Sequence, residues 1–235
     1  MAKMVGLSRN LKLPWLNEVV RLYVEGLEDD QIKEQLNEYL SYEIGSPTVL
    51  RKTREILMNI WVYENDYTDS LRNEALRLIQ KDSDYALPVH WCMMLAAYPV
   101  FRDMCRLIGK IGEFEEKITT KQIKQKLFDE WGERSTLYHS IDKLIATLKA
   151  LDVLESSKVG VYSIKTHTFS KPEIVNFLLY TMMKIDDAGY YSLLNLENSL
   201  YLFPFEYQVS QENIMEDDRF MLGTFGGEIS FSLKG

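Results

Sequence analysis

Apolar residues recur every three or four positions through most of the chain, a spacing that predicts helices in series. Pro14 opens the first, whose stripe Trp15, Leu16, Val19, Val20, Leu22, Tyr23 and Val24 ends at Gly26. A second, about Asp29 to Leu40, turns Ile32, Leu36, Tyr39 and Leu40 inward and carries acids at its positive N-terminal end. Ser46-Pro47 starts a third, with Ser46 as N-cap and Val49, Leu50, Ile56, Leu57, Ile60 and Trp61 as its buried stripe. A fourth runs from roughly Asp69 to Gln80, and Lys81 to Asp84 reads as a linker. Pro88 opens a strongly apolar helix that Pro99 interrupts, because an interior proline removes a hydrogen bond and clashes with the preceding turn. Another helix follows over Val100 to Lys110.

The next stretch has the sharpest local signals. Thr119, with Gln122 three residues on, forms a capping-box pattern ahead of Ile123, Leu127, Phe128 and Trp131, and Gly132 closes that helix. Ser135 caps a longer helix with Leu137, Ile141, Leu144, Ile145, Leu148 and Leu151 on one side. The period then shortens to alternation: Val153 to Glu155 and Val159 to Ile164 read as strands joined by a turn at Ser156-Ser157-Lys158. Helix, short helix, tight turn, long amphipathic helix and hairpin, in that order, predict a winged helix-turn-helix. Ser170-Lys171-Pro172 begins a further helix through Lys184, residues 188–207 show no clean period, and Gly226-Gly227 predicts a hairpin turn between Phe220–Thr224 and Glu228–Leu233. The fold class is mainly α. A helical, helix-turn-helix-like domain over 1–84 precedes the winged helix with its small β-hairpin over 85–168, and 169–235 forms a mixed helical and hairpin extension.

Composition narrows the possibilities. Gly and Pro total 18 of 235 residues, too few for long loops or a collagen-like chain. Cys92 and Cys105 cannot supply a disulfide framework, and no signal-peptide pattern follows Lys3, Arg9 and Lys12, so a cytoplasmic location is expected. The uncharged run from Tyr85 to Phe101 has 17 residues, which is short for a bilayer, and it contains two prolines and a histidine, so no membrane is expected. Net charge is −8, which excludes a protein that coats nucleic acid by bulk attraction, yet residues 117–167 hold nine Lys/Arg against six Asp/Glu. The basic excess is local.

In a winged helix the second long helix enters the major groove by its N-terminal part, so Arg134, Thr136, Tyr138, His139, Lys143 and Thr147 are candidate contacts to double-stranded DNA. Lys158 at the hairpin tip reaches flanking backbone, and Lys121 and Lys124 grip phosphate from the preceding helix. Asp142 and Glu133 oppose this by repelling phosphate. A second, weaker cluster, Arg51, Lys52 and Arg54, lies off the apolar stripe of the third helix beside the acidic Asp29, Asp30 and Glu34. Catalytic patterns are missing: there is no phosphate-cradling glycine loop, nucleophile elbow or HExxH. His90-Trp91-Cys92 lacks a matching pair for a zinc site, and Glu212, Glu216, Asp217 and Asp218 lack the alternation of a calcium loop. A buried Cys and a hydrogen-bonded His are expected there, with no enzyme activity, metal or cofactor.

The run Ser46-Pro47-Thr48-Val49-Leu50-Arg51-Lys52-Thr53-Arg54-Glu55-Ile56-Leu57, the apolar helix pair over Tyr85 to Gly109 and the downstream winged-helix pattern together resemble the BrxA family of bacterial BREX phage-exclusion systems. The likeness covers residues 13 to about 165. It implies a small helical, non-catalytic component that binds duplex DNA and works with other proteins of the defence system, with Arg51, Lys52 and Arg54 as matching basic positions. Two alternatives stand beside it: an assembly subunit whose winged helix binds protein, and a transcriptional regulator.

Overall fold

The computed structural model describes residues 6–186 and 188–234, so the expectation attached to Lys3 lies outside the described residues. Helices hold 61% of the chain and every strand is short, so helix packing makes the core. The first four helices are α1 (Leu13–Val24), α2 (Asp29–Ser41), α3 (Pro47–Trp61) and α4 (Thr68–Lys81). Each buries most of the stripe its spacing requires, with Ile32, Leu36 and Leu40 of α2 and Ile56, Leu57 and Ile60 of α3 in one cluster, while Tyr23, Tyr39, Val49 and Leu50 are half-buried and Val24, at the end of α1, is exposed. Ser46 occupies the N-cap position of α3, but its side chain makes no cap bond.

A single 3-10 turn, Ser83–Tyr85, leads from α4 into α5 (Ala86–Ala97). Helix α5 has no polar face: residues 88 to 96 are all buried, which is what a helix apolar on every side demands. Its neighbours are α1, α3 and α4 on one side and α6 (Pro99–Gly112) and α9 (Pro172–Ile185) on the other, so the core continues through the connection at residues 84–85. Tyr98 sits between α5 and α6 in an extended conformation, as the proline at the first position of α6 requires. No helix among the described residues is long and apolar enough to cross a membrane.

After α6 come β1 (Ile118–Thr119), α7 (Thr120–Trp131), α8 (Ser135–Ala150), β2 (Leu154–Lys158) and β3 (Val161–Ile164). The three strands form an antiparallel sheet in the order β1-β3-β2, with Ile118 opposite Tyr162 and Leu154 opposite Ile164. The sequence places the hairpin turn at Ser156–Lys158. The structure moves it to Val159-Gly160, where Gly160 takes φ +72° at no steric cost, and a bulge between Ser156 and Lys158 absorbs the shift.

The remaining elements are β4 (His167–Phe169), α9, α10 (Leu193–Glu197), β5 (Phe205–Tyr207), α11 (Gln211–Met215), β6 (Phe220–Phe225) and β7 (Glu228–Leu233). Strand β5 returns parallel to β4, and β6 and β7 pair antiparallel around Gly226-Gly227. The aromatic segment 200–205 closes over α5, where Trp91 meets Phe101, Phe203 and Phe205 edge-on and donates its indole N–H to the Tyr201 carbonyl at 3.0 Å.

Candidate nucleic-acid interface

Two contacts fix α7 on α6. The Arg106 guanidinium reaches both Glu130 carboxylate oxygens at 2.7 Å, and the Trp131 indole donates to Asp103 at 2.8 Å. The capping box closes the other end of α7: the Thr119 hydroxyl accepts from Gln122 N–H at 3.2 Å, and the Gln122 side-chain oxygen accepts from Thr119 N–H at 2.8 Å. Gly132, at φ +77°, turns the chain in three residues into α8. Arg134, not Ser135, is the N-cap residue, and it makes no side-chain cap bond. Leu137, Ile141, Leu144 and Leu148 then anchor α8, leaving Thr136, His139 and Lys143 exposed at helical spacing on the outer side.

Not every predicted contact is on that surface. Thr147 is fully buried: its hydroxyl accepts the Leu11 N–H at 2.9 Å and donates to the Lys143 carbonyl at 3.0 Å. It is removed from the candidate interface because residues 7–11, with Leu7 and Leu11 fully buried, lie across this part of α8. The same packing means that Arg9 and Lys12 do not form a free arm. Arg9 bonds the Ser8 carbonyl at 2.6 Å, and Lys12 pairs with Glu43 and lies over the Trp15 ring.

Lys124 is also committed internally, to Asp142 at 2.8 Å and over the Tyr138 ring at 3.6 Å. Burial pulls its ammonium pKa down, but Asp142 and Tyr138 outweigh this and hold it above the usual lysine range. The Asp142 charge predicted to repel phosphate is thereby compensated. Tyr138, stacked against Phe128 and half exposed, forms the edge of this cluster. Arg134 is half-buried with its guanidinium 5.9 Å from the Trp131 ring. Lys121 is exposed on α7, and Lys158 is exposed beside the tip residue Val159. Lys117 and Lys126 are exposed in the same segment; its basic excess contains them, although helix phase alone does not single them out.

The α3 cluster divides. Arg51 and Lys52 are exposed, whereas Arg54 is spent inside the protein, on Glu55 and on the Asn37 side chain at 3.1 Å, which ties α3 to α2.

His90 and Cys92 are both fully buried. His90 accepts the Trp61 indole N–H on Nδ1 at 3.1 Å and donates from Nε2 to Asn17 at 2.8 Å, and burial lowers its pKa to about 3. Burial pushes the Cys92 thiol up to about 12. Among the described residues no three metal-ligating side chains come together. Comparison with protein-family models, curated proteins and solved structures finds no match for this chain.

Proposed function

We propose that residues 99–164 are a winged helix that binds double-stranded DNA, and that the protein is a non-catalytic, DNA-binding accessory component of a BREX-like phage-defence system. The observation that carries DNA contact is the outer row of α8: Thr136, His139 and Lys143 project together, away from the core. These side chains include donors for base edges and phosphates, and the helix that bears them is held by its opposite face. Support for the winged-helix reading comes from the order α6, β1, α7, α8, β2, β3 with strand order β1-β3-β2, and from Lys158 beside an exposed β2–β3 tip. The place in a defence system rests on the resemblance of the Ser46–Leu57 run and the helix layout to the BrxA family.

The test is fluorescence anisotropy on a labelled duplex. With about three to five phosphate contacts, log affinity falls against log salt with a slope of about −3 to −5. Replacing Lys143 and Lys158 together by Glu is expected to cost about 2 to 4 kcal/mol of binding, at about 1 to 3 per good contact, with the thermal midpoint unchanged. Undetectable binding near 50 mM salt, an order-of-magnitude choice of low ionic strength, overturns the DNA reading in favour of a protein partner.

A further inference from the structure

The C-terminal hairpin leaves one strand edge open. Strand β7 is paired on both sides, with β6 on one edge and Tyr191 on the other, where Tyr191 and Phe231 exchange two main-chain hydrogen bonds of 2.8 Å. That exchange fixes the orientation of the hairpin. Because Phe231 directs its main chain toward Tyr191, its cross-strand partner Leu222 directs its N–H and C=O away from β7. Alternation gives Thr224 the same outward direction. Strand β6 therefore presents hydrogen-bonding groups along an edge whose side chains, Met221, Leu222 and Phe225, are each about half exposed and uncharged. Natural edges are usually blunted by lysine, proline or a bulge, and β6 from Phe220 to Phe225 contains none of these.

We propose that the open edge of β6 is a docking site for an extended, basic-flanked segment of a partner protein, which adds to the hairpin as a third strand. The main-chain groups call for a strand, and the surrounding charge selects which strand. Residues 188–235 carry seven acids and two bases. Both bases are already paired, Arg219 with Asp217 and Lys234 with Asp218. The exposed Glu216, with no ion pair of its own among the described residues, precedes β6, and the exposed Glu228 stands on β7 opposite Phe225, the last residue of β6, so an acid lies near each end of the edge. A second copy is a poor occupant, because it brings the same acid-rich residues 188–235, seven acids against two bases, to an edge that is already acidic.

The experiment uses the full chain and a fluorescein-labelled peptide of alternating valine and threonine flanked by lysine pairs, with a glutamate-flanked version as counterpart. The lysine-flanked peptide is expected to bind and to weaken with salt, while the glutamate-flanked one does not bind. Thr224→Pro removes an outward N–H without touching the β6–β7 ladder and is expected to weaken the peptide by about tenfold, with the circular dichroism spectrum retained. Glu228→Lys, which leaves the strand intact, is expected to weaken the lysine-flanked peptide several-fold and carries the test should the proline variant fail to fold. Failure of the lysine-flanked peptide to bind, equal binding of both peptides, or unchanged affinity in the two variants overturns the proposal. A dimer of the full chain that Thr224→Pro dissolves in sedimentation overturns the choice of occupant. DNA affinity stays unchanged in both variants, which separates this edge from the α8 surface.

Discussion

The buried His90 makes the protein's stability depend on pH in a window where few other buried groups titrate. The imidazole is neutral in the fold because both nitrogens are assigned, Nδ1 as acceptor from Trp61 and Nε2–H as donor to Asn17, with no exposure to water. A second proton on Nδ1 would face the indole N–H donor to donor. Its folded pKa of about 3 lies below the ordinary 6.5, so the unfolded chain takes up a proton that the folded chain refuses. The contribution is complete above pH 6.5 and is lost as pH falls from 6.5 toward about 3. At about 1.36 kcal/mol per pH unit, unfolding is expected to become easier by about 2 kcal/mol between pH 6.5 and 5. Glu43 is held below the ordinary 4.5 by Lys12, Glu74 by Arg77 and Glu173 by Lys81, so their contributions disappear only at more acid pH. Urea unfolding at pH 5, 6 and 7 measures the slope. His90→Gln keeps an acceptor for Trp61 and a donor for Asn17 but has no such proton to take up, so its stability should be nearly flat over that interval. Parallel loss in wild type and variant would refute the assignment.

Thr147→Val should cost about 1 to 3 kcal/mol, because the buried Leu11 N–H loses its acceptor, while duplex affinity in the anisotropy assay stays unchanged. Gly109→Ala should lower the thermal midpoint by the equivalent of about 1 to 3 kcal/mol, since the new methyl would lie 2.4 Å from the Leu200 carbonyl oxygen unless the chain moves. Replacing Arg51 and Lys52 by Glu should weaken DNA less than the Lys143/Lys158 pair, and Arg54→Gln should change chemical stability by about 1 kcal/mol with DNA affinity untouched. Both cysteines should resist a thiol reagent at neutral pH until denaturant is added, with Cys92 held protonated by burial and Cys105 well above its ordinary range for the same reason.

Most helices were legible because they carry their own stripe and their own stop, and α5 because it is an unbroken apolar run: Pro99, Gly132 and the Thr119–Gln122 box all act within a few residues of the elements they bound. What escaped was non-local. Strand β1 has two residues, too few for an alternation to register, and β4 finds its partner β5 only through a parallel pairing of His167 with Phe205, far along the chain. The candidate site was legible for Thr136, His139 and Lys143, whose exposure follows from the helix period alone. It misled at Thr147, where the period leaves a polar residue at the margin of the stripe and the N-terminal segment covers it. It also misled at Lys124 and Arg54, where a cation on a wet helix face has a carboxylate within reach, which helix phase does not reveal.

The way Trp91 is enclosed has a consequence for synthesis. A ribosome releases α5 long before the residues that cover it, since Trp91 bonds to Tyr201 across 110 positions of chain. At about 5 to 20 residues per second, α5 waits on the order of 6 to 20 seconds with an aromatic flank facing solvent or a chaperone. The nascent protein thus passes through a sticky interval whose length depends on translation speed. Slow codons between Trp91 and Phe205 would lengthen it, and yield of intact protein should be more sensitive to them than to slow codons in the first eighty or so residues.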